Sequence, residues 1–275
     1  MASSNRVTTL IFDVDDTLYD VGSGFTAHRN GEIVQQFMVD RLNFPNLETA
    51  KKVRDEYFAK YHATAKGLTV AQREGKFPPG APIFNVEDLA EYWAENLDYD
   101  MLGSPKGDLF DKLSKCPCTL VAFSNGPRKY VKRVLQQLGL FDLFGEDRLY
   151  AVDDVLPYCK PEKEAFEKIF DNIGHPSPGS CVMIEDSMKN IRRAKELGMK
   201  TVLITGKSET GRILPEDKPE TSDPAVDCSM ETIGEFFDEL PGLLDATPVF
   251  APVVRNTSGG GPIERLKRFV TPDDV

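Results

Sequence analysis

Near the start of this chain an apolar run ends in three carboxylates within four residues: Leu10-Ile11-Phe12, then Asp13, Asp15 and Asp16. The run reads as a short buried strand. An isolated carboxylate is costly to bury, so any fold that buries this run must also bring a cation or hydrogen-bond donors to its end. Asp13 and Asp15 are two apart, and in extended backbone both side chains point the same way. That geometry places two carboxylates on one small ligand. The plainer alternative is a strand followed by an acidic turn, with Asp16-Thr17 capping a helix.

Further buried-strand candidates are Thr119–Phe123, Leu149–Val152, Cys181–Ile184 and Thr201–Ile204, with Ala225-Val226-Asp227 as a short sixth. Amphipathic helix patterns cover 127–138, 162–173 and 187–197 between them, the last ending at Gly198, which suits a left-handed cap. Strands alternating with helices imply a parallel sheet covered on both faces. Residues 21–104 break the rhythm: helical patterns near 26–42, 48–65 and 85–96, no convincing strand, and a Gly75–Pro82 loop rich in Gly and Pro. They are expected to form a small helical domain inserted after the first strand; extra helices packed on the sheet are the alternative. From about 246 the periodicity fades into a Pro- and Gly-rich stretch expected to be a flexible tail, with a basic cluster at Arg265, Lys267 and Arg268 and a Thr271-Pro272 pair.

The net charge of −11 and pI near 4.9 make the chain a poor partner for nucleic acid polymers or anionic membranes. A small anionic substrate held by local cations stays open. Five scattered cysteines form neither a disulfide framework nor a zinc site. Reduced thiols, no apolar stretch of membrane-spanning length and no room for a signal peptide before Thr8 point to the cytoplasm, with the nucleus as alternative.

Polar clusters follow three more strand candidates: Ser124-Asn125-Gly126, Lys160-Pro161 and Glu185-Asp186-Ser187. In open parallel sheets ligands bind at the carboxyl ends of the strands, so four such clusters can converge. Asp13, Asp15 and Asp186 offer hard oxygen ligands suited to Mg²⁺. Lys160 brings a point charge. The amides of Asn125 and Gly126 lie near a helix start that favours anions. A carboxylate nucleophile, a second carboxyl group, a lysine and an oxygen-liganded metal together suggest phosphoryl transfer through an aspartyl-phosphate.

Asp13-Val14-Asp15-Asp16-Thr17, Ser124-Asn125, Lys160-Pro161 and Glu185-Asp186-Ser187 resemble, in order and spacing, the four motifs of the haloacid dehalogenase superfamily of phosphohydrolases. The resemblance covers about 7–245. It implies a Rossmann-like core over 7–20 and 105–245, with 21–104 as that superfamily's type 1 helical cap and 246–275 outside it. By the same resemblance Asp13 attacks phosphorus, Asp15 protonates the leaving oxygen and then activates water, and Thr17 orients the loop. Ser124, Asn125 and Gly126 bind phosphate oxygens, and Lys160 neutralises the phosphoryl group. Mg²⁺ is held by Asp13, the carbonyl of Asp15, Asp186 and Glu185, with Asn190 behind them. Glu185 as a helix cap, Lys160 as a loop lysine and Arg128-Lys129 as either phosphate contacts or solvated residues are the open alternatives.

Asp15 favours phosphate esters over halides, because a departing halide needs no acid. Phe12–Tyr19, Tyr61–Leu68 and Ile184–Ile191 resemble the pyrimidine 5′-nucleotidase-like branch, although Glu185-Asp186 stands where that branch has two Asp. The implied substrate is a small phosphorylated metabolite, a nucleoside 5′-monophosphate such as UMP or CMP, with specificity sought at Tyr61, Thr64, Gly67 and Leu68. Sugar-phosphate or pyridoxal-phosphate hydrolysis, phosphomutase activity and a non-catalytic scaffold acting through its tail are the alternatives.

Overall fold

A computed structural model of the chain describes residues 6–207 and 218–253. The apolar runs become β1 (Thr9–Phe12), β2 (Thr119–Phe123), β3 (Leu149–Tyr150), β4 (Cys181–Glu185), β5 (Lys200–Ile204) and β6 (Cys228–Met230). They form one parallel sheet in the order β3-β2-β1-β4-β5-β6. Side chains alternate between its faces. Leu10, Phe12, Leu120, Ala122, Val182 and Ile184 enter one apolar core, while Ile11, Val121, Phe123, Cys181 and Met183 enter the other. Because both faces are covered, the strands read as unbroken apolar runs.

Strand β6 lies three residues beyond the expected Ala225–Asp227. Thr201 Oγ1 donates to the Ala225 carbonyl, and the Asp227 carboxylate accepts from the Thr201 amide at 3.1 Å. Those groups are spent on side chains, so ladder pairing with β5 starts at Cys228.

The segment between β1 and β2 contains no strand, and its helices include α1 (Val34–Leu42), α2 (Leu47–Tyr61), α3 (Thr64–Arg73) and α4 (Val86–Asn96). The pattern at 48–65 is two helices rather than one. His62 adopts a left-handed conformation (φ 51°) and ends α2, and α3 starts two residues later. The pattern at 26–42 is likewise interrupted by a π turn over Arg29–Ile33, with Gly31 out of helical geometry. The insert does not stand apart from the sheet. Phe25, Phe37, Leu68 and Trp93 share one continuous core with Phe12, and α4 packs on α5 (Arg128–Gln137), which gives Tyr130, Val131, Val134 and Leu135 to that core. The opposite face is covered by α6 (Lys163–Asn172) through Ala165, Phe166 and Ile169. Helix α7 (Met188–Glu196) leads to Gly198 at φ 90°, a left-handed cap.

Residues 246–253 depart from the expected flexible tail. The Val7 amide donates to the Pro248 carbonyl at 2.8 Å, Arg6 and Val249 form an antiparallel bridge, and Phe250 is buried. The basic cluster and Thr271-Pro272 lie outside the described residues. All five cysteines are buried free thiols. Among the described residues no helix is long and apolar enough to cross a membrane.

Phe12 is fully buried at the middle of the sheet and meets Phe144 and Phe236 edge-on at centroid distances of 6.0 and 5.8 Å. Phe12→Ala is expected to cost about 3–5 kcal/mol by transfer and cavity terms. Urea unfolding checks this; a loss below about 1 kcal/mol would mean the core around β1 collapses freely.

Candidate active site

The strand register sets the site. Phe12 is level with Ala122 of β2 and Ile184 of β4, so Asp13 stands beside Phe123 and Glu185. The Asp13 amide donates to the Ile184 carbonyl at 2.9 Å. The chain leaves β1 toward β2 on one side and later returns to β4 on the other. That reversal of strand order opens a crevice at the carboxyl ends, where ligands bind in sheets of this order. Asp16, at φ 57°, turns the chain away from the sheet; aspartate is among the few residues that tolerate this conformation.

Lys160 is 1% exposed, and its Nζ donates to Asp13 Oδ1 at 2.6 Å, to the Phe123 carbonyl at 2.7 Å and to Glu185 Oε2 at 2.8 Å. The ammonium's three donors are therefore all used. The Asn125 side chain clamps the Lys160 backbone: Oδ1 accepts from the Lys160 amide and Nδ2 donates to its carbonyl, both at 2.9 Å. Thr17 Oγ1 donates to Asp13 Oδ2 at 3.3 Å. Glu185 Oε1 accepts from the Ser187 amide at 3.2 Å, so one carboxylate both meets Lys160 and caps the approach to α7.

Asp13, Glu185 and Asp186 each present an oxygen within 4.8 Å of the others. Two of these three carboxylates share the Lys160 ammonium. Burial, then the charge of Glu185, push the Asp13 carboxyl up to about 8 against the opposing pull of Lys160. An all-oxygen donor set with excess negative charge fits a hard divalent cation such as Mg²⁺. Asn190 lines the same cavity.

Asp15 is held differently. Tyr130 Oη and Tyr19 Oη donate to its Oδ1 at 2.5 and 2.8 Å, Arg29 Nη1 donates to Oδ2 at 2.6 Å, and Ser124 Oγ lies 3.4 Å from Oδ2. Burial alone would raise the Asp15 carboxyl, but the Arg29 charge and these hydrogen bonds hold it below its ordinary value. A carboxylate with so many donors stays ionised. Arg29 belongs to the insert and lies over the rings of Trp93 and Tyr130, 5.2 and 4.8 Å from their centroids, where the two rings meet edge-on. Arg29, Tyr130 and Trp93 are site residues the motifs do not mark. A lone arginine in a helical pattern reads as solvated, whereas here it sits on the π turn and packs on the two rings.

Several expected contacts fall elsewhere. The Gly126 amide, expected at phosphate, donates to Ser124 Oγ at 2.9 Å. Gly126 is needed for space, since a Cβ there would stand 2.9 Å from the Tyr130 ring. Arg128 is taken up by Asp154 and the Leu149 carbonyl, and Lys129 by Glu91 of α4. Of the four insert positions expected to choose substrate, Thr64 lines the cavity. Tyr61 stacks on Tyr57, Leu68 is core, and Gly67 faces the Tyr57 backbone. Phe58, His62 and Lys189 line the cavity instead.

Fold and site together define a doubly covered α/β fold with an acid-rich crevice at the sheet's reversal point. The chain belongs to the haloacid dehalogenase-like hydrolase family, whose pattern matches residues 7–198. It is 35% identical over 122 residues to the candidate phosphatase YhcW of Bacillus subtilis (strain 168), a match covering 44% of this chain. The match spans about half the length of that relative, 49%. The fold is similar to that of a HAD phosphatase from Thermococcus onnurineus, with TM-score 0.55 and 20% identity over 84% of this chain and 97% of that one. It is also similar to L-2-haloacid dehalogenase from Xanthobacter autotrophicus with chloropropionic acid covalently bound, with TM-score 0.51 and 18% identity over 86% and 99%.

Removing one partner of a buried ion pair strands the others. Lys160→Met is expected to lower the unfolding free energy by about 3–5 kcal/mol, measured by denaturant titration in EDTA. An unchanged midpoint would show that Asp13 and Glu185 do not depend on this ammonium.

Proposed function

We propose that the protein is a Mg²⁺-dependent phosphomonoesterase that works through an aspartyl-phosphate on Asp13. The observation that carries this reading is the grouping of Asp13, Glu185 and Asp186, the first two held by the Lys160 ammonium, beside a further carboxylate two residues along the chain from Asp13. A halide leaving group would give Asp15 nothing to protonate. Asp13 Oδ2, bonded only weakly by Thr17, is the oxygen placed for attack on phosphorus, while Oδ1 stays with Lys160. Lys160 holds negative charge at the reacting centre, and Asn125 fixes the lysine's backbone. Asp15, once protonated and released from Arg29, donates to the ester oxygen, and in the second half-reaction takes a proton from the attacking water. Bound at Asp13, Asp186 and Glu185, Mg²⁺ would supply charge neutralisation for the phosphoryl oxygens. The helical insert acts as the cap that shields this chemistry from water.

Within phosphate esters we infer a nucleoside 5′-monophosphate as substrate. Phe58, His62 and Trp93 give the cavity an aromatic wall of the kind a base stacks on, which supports this choice. Buried free thiols support a reducing compartment, the cytoplasm or the nucleus.

Hydrolysis of p-nitrophenyl phosphate is expected with Mg²⁺ and is expected to vanish in EDTA and in Asp13→Asn. Asp15→Asn should lower kcat by about 10²–10⁴-fold. Full turnover by Asp13→Asn would sink the proposal.

A further inference from the structure

A second cavity lies in the insert beside the catalytic one, lined in part by Arg54, Asn30, Phe58 and Lys51. Asn30 and Phe58 line both cavities, so the two adjoin there. Arg54, on α2, is 4% exposed, and its guanidinium lies 4.1 Å from the centre of the Phe58 ring. Its Nη1 donates to Asp55 Oδ1 at 3.0 Å, but Nε and Nη2 are buried with no hydrogen-bond partner, and so is Asn30 Oδ1. Buried donors are ordinarily satisfied, and such an exception calls for an explanation. Lys160 has spent its ammonium on the reacting centre, and Arg29 has given its Nη1 to Asp15 and Tyr130.

The Nε and Nη2 hydrogens of a guanidinium leave the same edge side by side. They match two acceptor atoms held side by side, as in a carboxylate or the paired acceptors of a nucleobase edge. We propose that Arg54, with Asn30 beside it on the π turn, reads a pair of adjacent acceptors in the part of the substrate beyond its phosphoryl group. This rests on the phosphatase reading above. Two sources share the chemistry: the N3 and O2 atoms of cytosine, which uracil lacks as a pair because its N3 carries hydrogen, and a carboxylate.

The test compares kcat/KM for CMP against UMP and for 3-phosphoglycerate against glycerol 3-phosphate, in the full chain and in Arg54→Met and Arg54→Lys. The expected result is a preference of about tenfold or more within one pair, brought close to one by both substitutions; the pair that responds identifies the source. Arg54→Lys keeps the charge without the fork and covers the case in which Arg54→Met misfolds. No preference within either pair, or a preference that survives both substitutions, overturns the proposal. Trp93 is the chain's single tryptophan and lines the catalytic cavity, so its fluorescence reports binding of the same four compounds to Asp13→Asn. Differential binding that Arg54→Met removes supports the assignment, and binding that is indifferent to Arg54 rejects it. Absence of turnover with every ester would defeat the phosphatase reading and leave the fluorescence titration to decide this one.

Discussion

Lys160 Nζ reaches Asp13 beyond β1, the last carbonyl of β2 and Glu185 at the end of β4, so one ammonium meets three strand ends at once. Without it the strand order would press two carboxylates together in a dry crevice. A buried ion cluster of this kind stabilises a fold little compared with apolar side chains of the same size, while breaking it is costly. Its presence at the centre of the sheet is therefore better understood through chemistry than through stability. The rest of the site follows from it. Asn125 fixes the backbone of Lys160, Thr17 takes the other oxygen of Asp13, and Asp186 adds the third carboxylate.

Asp13 and Asp15 leave the same strand end into different electrostatic surroundings. Asp13 faces the sheet and its fellow carboxylates, and its proton is held more tightly than usual. Asp15 faces Arg29 of the insert, and that guanidinium, with the phenols of Tyr19 and Tyr130 from outside the insert, holds it ionised. Two side chains of one type, two residues apart, are thus set on divergent courses by what lies across from each. Environment alone gives two carboxylates of one site opposite protonation behaviour.

Much of the core was legible because apolar runs ending in polar clusters are a local signal. β1, β2 and β4 need no knowledge of their neighbours to be recognised, and their alternation with helices implies a parallel sheet. What was hidden depends on partners far away in sequence. Asp227 moves the start of β6 by competing for Thr201, which no window around residue 227 reveals. The break between α2 and α3 rests on His62 in a conformation usually marked by glycine, so the pattern read through it. The inward turn of Arg29 needs the π turn and the aromatic pocket of Trp93 and Tyr130, three separate stretches of chain. The insert also shares its apolar core with the sheet, although its helices alone suggested a unit packed for itself.

The central strand β1 is made early, yet both of its partners come late: β2 begins at Thr119 and β4 at Cys181. Asp13 and Lys160 are separated by 147 positions. Closing loops of that size must precede any contact that rewards them, so sheet assembly here is governed by long-range pairing and is slow relative to the helices of the insert. During synthesis the first strand waits, apolar and unpaired, while its neighbours are still being made. That interval is when this chain is most exposed to aggregation, and when help from a chaperone would matter most.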